Sequence, residues 1–388
     1  MQTDEEGFPY PVVNKEICID CGLCEKVCPV INQSEPRKPL RVYAAKNKNE
    51  GIRIQSSSGG IFTLLAETVI NESGVVFGAK FDKDWNVVHD FTETIEGIAA
   101  FRGSKYVQST VGHTYSQAKK FLQAGRKVLF SGTPCQIAGL KKYLRKEYDN
   151  LLTVDIICHG VPSPKVWNIY LEEICSKQLK TRPDGKNTVA SAKGGEYKSC
   201  IETISFRSKV TGWKRFSFIM KLNLPTHDGK KQAYLAETLD KNAYMRAFLT
   251  DTILRPSCYN CSTKNGKSHS DITIADFWGI NDIDPSFDDD KGCCAIFINT
   301  EKGATIYPLE LTEYKEKTFD EVIRYNSAYY KSPKAHPKRE EFIKGLNNVE
   351  DLSAYITKML KPKVSTIIIK RIKRYTKAIL RRIGIKKQ

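Results

Sequence analysis

Four cysteines stand at positions 18, 21, 24 and 28, in the run CIDCGLCEKVCP, and Pro29 follows the last of them. Thiolates are soft ligands. Three of them, two residues apart, can each take one corner of an iron–sulfide cube while backbone N–H groups point at its sulfurs. Gly22 lets the chain turn tightly beside such a cube. The spacing of Cys18, Cys21, Cys24 and Cys28 therefore predicts a [4Fe–4S] cluster. A zinc knuckle is the competing chemistry, but three consecutive C-x-x-C steps closed by Cys-Pro are not its usual spacing.

A second set of thiols is dispersed. Cys258 and Cys261 form one C-x-x-C, and Cys135 and Cys158 each follow a strand-like segment, KVLFSG (127–132) and LLTVDII (151–157). Residues placed just after strands can converge on one edge of a sheet, so Cys135, Cys158, Cys258 and Cys261 are candidates for an internal cluster. Buried free thiols are the alternative. Cys175, inside a helical pattern, and Cys200, in a polar stretch, read as structural. Cys293 and Cys294, at a strand start, read as core residues or spare ligands. His159 is a candidate for a proton-coupled step, against the alternative of a satisfied structural histidine.

Other residues point to an anionic ligand. Ser58, Gly59 and Gly60 in QSSSGGIFTLLA precede a helical pattern, where free N–H groups would face a phosphate; an ordinary glycine turn is the alternative. Thr133, in SGTPCQ, sits where a strand leads into a helix, the usual ligand position in an open α/β sheet. Asp276, in ADFWGI, is a candidate polar contact, and the nearby Trp278 reads as core.

These groups need a scaffold. RVYAAK (41–46), VVFGAKF (75–81), KVLFSG and LLTVDII read as strands, as do ISFRS, FSFIMKL, DITIAD and AIFINT. Helical patterns cover 59–74, 137–148 and 162–179, the last with Ser163 as N-cap and Pro164 at its first position. This alternation predicts an α/β core. The expected organisation is a head at 1–37, whose QSEPRKP (33–39) reads as a linker, and a core in two parts, 41–122 and 127–300. A helical extension (301–360) and a basic tail (361–388) follow.

Composition narrows the class. The 388 residues are 40% hydrophobic and 27% charged, enough for a sizeable core. No run of 18 apolar residues occurs, and the start, MQTDEEGFPYP, is acidic and unlike a secretory leader, so a cytoplasmic location is expected. Twelve cysteines in such a chain suggest metal ligands rather than disulfides. The net charge is +17, of which the tail supplies eleven basic residues and no acid, so no nucleic-acid footprint covers the body. In the tail, Ile368, Ile372, Tyr375, Ile379 and Ile383 recur at helical steps. That pattern predicts contact with an anionic membrane face, or else packing on the core or contact with RNA.

The head resembles the cluster run of bacterial ferredoxins. In two-cluster members the fourth cysteine serves the other cluster, and this chain has one run. Either a first run lies upstream or it is lost, in which case Cys28 or another group completes the set. QSSSGGIFTLLA, FRGSKYVQST, VLFSGTPCQIAGLKKYL, DIICHGVPSP, RPSCYNC and ADFWGI, in this order, closely resemble the beta-subunit family of coenzyme F-420-reducing hydrogenases and formate dehydrogenases over residues 1–300. The resemblance implies FAD, a further iron–sulfur cluster, and electron passage between a hydride-type carrier and the clusters. It makes Arg102, Ser104, Lys105 and Tyr106 candidates for contacting a pyrophosphate or isoalloxazine, against the alternative of a solvated loop.

The fold expected is thus α/β: a ferredoxin-like iron–sulfur head, an α/β flavin-binding core and a basic helical tail. The function expected is an oxidoreductase passing electrons between a ferredoxin- or coenzyme F-420-type carrier and an unknown acceptor. Related chains accompany polysaccharide-synthesis gene sets at the membrane, which adds the inner membrane face as an expected place of work. The rivals are a non-catalytic electron-transfer subunit within a larger complex and, on the tail alone, an iron–sulfur nucleic-acid protein.

Overall fold

In the computed structural model of the chain, the structure describes residues 1–180, 196–226 and 229–361. The basic tail from 362 onward, with its expected membrane contact, lies outside the described residues.

A short hairpin, β1 (Gln2–Thr3) and β2 (Pro9–Tyr10), opens the chain. The core is an eight-stranded mixed sheet. Its strands are β3 (Arg41–Asn47), β4 (Val75–Phe81), β5 (Val87–Thr92), β6 (Val128–Ser131) and β7 (Leu151–Ile156). After β8 (Ile201–Ser208), β9 (Ser217–Thr226) and β10 (Gly229–Thr238), which form a separate antiparallel sheet, come β11 (Ile272–Asp276), β12 (Cys294–Ile298) and β13 (Thr312–Glu316). The order across the large sheet is β13-β3-β12-β11-β7-β6-β4-β5.

Strands β4, β6, β7 and β11 are parallel neighbours. Their apolar sequences, VVF, VLF and LLTV, suit strands covered on both faces. Alternate side chains go to opposite layers. Val76 and Leu129 join Leu64, Leu65 and Val69 of the helix Ile61–Asn71, while Val75, Phe77 and Phe130 join Ile137, Leu140 and Leu144 of the helix Pro134–Leu144. The helix Pro164–Lys180 starts as expected, the Val166 N–H donating to Ser163 Oγ at 3.1 Å. Its Trp167 and Tyr170 pack with Phe206 and Phe218 of the small sheet and with Tyr244. Parallel strands put all their C-terminal ends on one edge, and β12, antiparallel to β11, begins at that edge, with Cys294 opposite both Asp276 and Ala45.

Three expectations change. The stretch 301–360 is not purely helical: Thr312–Glu316 is a strand on the edge of the large sheet, paired with β3. Cys200 ends a short helical turn, Glu196–Cys200, rather than lying in a polar loop; it is buried in the core, in keeping with a structural role, and the Cys175 and Cys200 thiols hydrogen-bond. The stretch 33–39 is docked rather than free. The Arg37 N–H donates to Asn265 O at 3.2 Å, its guanidinium bonds Ser270 O, and its carbonyl accepts from the Tyr329 hydroxyl at 3.0 Å. The start of the head is held as firmly. Phe8 is fully buried, Arg255 bonds Pro9 O at 3.0 Å, Ser163 Oγ bonds Glu6 O, and Arg339 pairs with Glu6. Gly7, at φ 87°, passes so close to Lys165 that a Cβ would lie 2.7 Å from its backbone nitrogen. Between these anchors, Val12, Val13, Ile17, Ile19, Leu23, Val30 and Ile31 all stand exposed.

One buried group gives the fold a pH dependence. His89, on β5, stacks on Phe130 and its Nε2 meets Ser131 O at 3.1 Å, while its buried Nδ1 has no partner. Burial pulls its pKa down to about 4. A folded pKa below the unfolded value means that this stability is complete above pH 6.5 and is lost as pH falls toward 4. The loss is about 3 kcal/mol. Urea unfolding of the parent and of His89→Phe across this range should show the parent weakening more in acid; parallel curves would contradict the assignment.

Candidate functional site

The shared edge of the large sheet carries two adjoining groups of side chains. In the first, β6 ends at Ser131 and the chain turns through Gly132 into the helix Pro134–Leu144, with Thr133 as N-cap. The Thr133 N–H donates to Gln136 Oε1 at 2.9 Å, and its hydroxyl lies 3.1 Å from the Cys135 thiol. Cys158 follows the end of β7, and the turn Pro256–Asn260 carries Cys258 and delivers Cys261. The Val161 N–H donates to Cys258 Sγ at 3.5 Å, and Cys261 Sγ lies 3.4 Å from Thr263 Oγ1.

The four sulfurs act on one another. Burial pushes the Cys158 thiol up, and Cys135, Cys258 and Cys261 push it further, with Lys264 opposing. Burial pushes the Cys258 thiol up to about 11, with Cys135 and Cys261 adding to it. Lys264, not singled out from the sequence, bonds Cys158 O at 2.5 Å and Ala328 O at 2.6 Å. Among the described residues, no three His, Cys, Asp or Glu side chains stand close enough to share a single metal ion. His159 has a partner: its Nε2 lies 2.6 Å from Asp251 Oδ1, and its ring meets Phe248 edge-on.

The second group is built from two loops and the end of β11. Gly60 is the N-cap of the helix Ile61–Asn71 at φ 82°, a conformation that favours glycine. The Gly59 N–H donates to Cys294 Sγ at 3.1 Å, and Ser58 Oγ donates to Cys293 O at 2.8 Å. The second loop docks on the first: the Ser104 N–H donates to Ser57 Oγ at 2.7 Å, and Arg102 reaches Gln55 at 2.8 Å and Thr63 at 3.2 Å. Lys105 donates to the carbonyls of Arg102 and Gly103, and burial brings its amine down to about 7. Burial raises the Tyr106 phenol, with the Arg207 guanidinium near enough to oppose the shift and the Asp276 carboxylate adding to it. Asp276 accepts from Trp213 Nε1 at 3.0 Å and pairs with Arg207.

Ser58, Gly59, Gly60, Arg102, Ser104, Lys105, Tyr106 and Asp276 thus meet around one place, while Thr133 stands with the thiols. Arg207 and Lys209 complete this place and were not singled out from the sequence. The Lys209 amine donates to Arg53 O, Ser58 O and Lys291 O at 2.6, 2.6 and 2.7 Å, and burial brings it down to about 8. Arg207 lies over Phe216 at 4.5 Å and Trp278 at 5.2 Å, and Trp278 stacks on Trp213. Nε and Nη2 of Arg207 are buried without a hydrogen-bond partner.

In the head, Cys18, Cys21 and Cys24 are exposed and Cys28 is half-buried. Asp20 and Gly22 both take positive φ, 52° and 63°, so the chain reverses between these cysteines before the short helix Leu23–Lys26.

Comparison with known proteins identifies the family. Residues 125–318, half of the chain, match the family model for the C terminus of the coenzyme F420 hydrogenase/dehydrogenase beta subunit. Residues 11–30 match the 4Fe-4S binding domain. No curated protein matches. Among solved structures, a chain from the xenon-derivatised F420-reducing [NiFe] hydrogenase complex of Methanosarcina barkeri is similar at 18% identity. The match covers 84% of this chain and 91% of that one, with a TM-score of 0.45. The chain therefore belongs to the coenzyme F420 hydrogenase/dehydrogenase beta-subunit family, as an iron–sulfur, oxidoreductase-type protein with a 4Fe-4S binding domain at its head.

Proposed function

We propose that this chain is a flavin- and iron–sulfur-dependent oxidoreductase that passes electrons between a ferredoxin- or deazaflavin-type carrier and a second acceptor. Cys18, Cys21, Cys24 and Cys28 hold one [4Fe–4S] cluster in the head. Cys135, Cys158, Cys258 and Cys261 hold another, with Thr133 beside Cys135, and the segments around Ser58–Gly60, Arg102–Tyr106 and Asp276 hold FAD. A flavin beside clusters lets a two-electron hydride event be divided into single-electron steps.

The observation that carries this reading is the meeting of four mutually interacting thiols with two loops and the Asp276 end of β11 on one sheet edge. The fit is chemical. A four-iron cube takes one thiolate at each iron, and these four sulfurs, near enough to shift one another's ionisation, match that number. The residues themselves bind and orient: Val161 N–H faces the Cys258 sulfur, Lys264 offsets thiolate charge, and Gly59 and Gly60 bring backbone close to the ligand.

Anaerobic purification with iron, sulfide and flavin counted per chain is the test. About eight irons and one FAD are expected. About four irons would remove one of the two sites, zinc in place of iron would remove the redox function, and absence of FAD would remove the flavin site.

The exposed aliphatic residues at 12–31 favour a second reading, in which the chain transfers electrons only within a larger complex and its head docks on a partner subunit. Steady reduction of the isolated chain by a deazaflavin or a nicotinamide would argue against it. No helix among the described residues is long and apolar enough to cross a membrane. The proposed place of work is the cytoplasm, at the inner face of the membrane, and the proposed pathway context is polysaccharide synthesis.

A further inference from the structure

Arg207 is the most unusual side chain at the sheet edge. It is 5% exposed, yet two of its nitrogens, Nε and Nη2, lack any hydrogen-bond partner. Leaving a buried donor unpaired is costly, and more so when it is charged. Burial of the charge itself is offset by Asp276, which Nη1 reaches directly. The remaining N–H groups of Nε and Nη2 lie along one edge of the guanidinium plane and form a two-pronged donor.

The backbone shows how this arises. Between Ser205 and Ser208 the β8–β9 ladder slips, three steps along β8 matching two along β9, so one extra residue is accommodated in the Phe206–Arg207 stretch. Bulges re-aim side chains beside functional sites. Here the guanidinium lies over the rings of Phe216 and Trp278 and also hydrogen-bonds the Tyr106 phenol.

We propose that the Nε/Nη2 edge of Arg207 binds the pyrimidine edge of a flavin ring, where two acceptors stand side by side, and stabilises the negative charge carried there after reduction. This rests on the flavin reading above and assigns Arg207 a binding and potential-setting role within it. A ring fits better than a phosphate for two reasons. The walls are aromatic, and Asp276 already cancels the guanidinium charge, leaving paired donors rather than surplus charge for a pyrophosphate. Reduction by two electrons and one proton leaves one negative charge on the ring, so the reduced form should gain most from the donors.

The test uses the full chain, prepared anaerobically and stripped of flavin. FAD, and separately lumiflavin as the bare ring, are titrated by fluorescence quenching, with inorganic pyrophosphate as competitor. Midpoint potentials are read in a dithionite titration. Arg207→Lys keeps a charge for Asp276 but has no side-on edge, and circular dichroism with thermal unfolding checks that it folds. It should weaken FAD and lumiflavin alike by at least about tenfold. Each tenfold preferential loss for the reduced form lowers the midpoint by about 30 mV. Arg207→Gln should lose more of both. Unchanged affinity and potential in both variants would overturn the proposal. So would intact lumiflavin binding with lost pyrophosphate competition, which would place the edge on a phosphate. A parent chain that binds no FAD would instead remove the flavin reading, and this role with it.

Discussion

Cys21→Ser protein, prepared without oxygen, is expected to hold about four irons fewer than the parent and to lose the spectroscopic signal of the head cluster. Serine offers a hard oxygen where the cluster needs a soft thiolate. The surrounding fold should survive, because Cys21 is exposed and packs against nothing in the core. Reduction by an external ferredoxin should fall by on the order of a hundredfold or more, since loss of supporting shell residues alone costs roughly 10–100-fold at metal sites. Full iron content with unchanged reduction would show that Cys21 is not a ligand.

Cys258→Ser should act differently. In the metal-free fold, burial and the neighbouring sulfurs favour the protonated thiol of Cys258. A cluster must therefore displace protons as it binds, and its retention should strengthen as pH rises. The variant should lose about four irons while the head signal persists. Electrons delivered to the head would then no longer reach bound flavin, although dithionite would still reduce it directly. Because metal binding at such a site also stabilises the fold, the melting temperature of the anaerobic holoprotein should drop, whereas Cys21→Ser should barely move it. Equal iron in parent and variant would leave the four thiols as ordinary buried cysteines.

Much of this scaffold is legible in the residues. Short apolar runs such as LLTVDI, bounded by turn residues, read as strands sheltered on both faces, and Ser163-Pro164 announces a helix start. Cysteines just after two such strands had to share an edge once the strands were parallel neighbours. Arg207 and Lys209 were not legible. FRSK reads as the end of an ordinary strand, and its role depends on a bulge and on Asp276, sixty-nine residues away. The strand TEYKE was hidden because it lies on a sheet edge, with its charged residues facing solvent. The polar stretch around Arg37 looks like a free linker by composition, because hydrogen bonds to Asn265, Ser270 and Tyr329 leave no hydrophobic trace.

That docking bears on how electrons arrive. A redox module on a loose tether swings between donor and acceptor, and its traffic slows as the medium thickens. Here the cysteine loop leaves the body at Tyr10 and is pinned again at Arg37, like a handle riveted at both ends. Internal transfer from the loop should therefore be indifferent to added glycerol or sucrose, and only the collision with an outside donor should feel the viscosity.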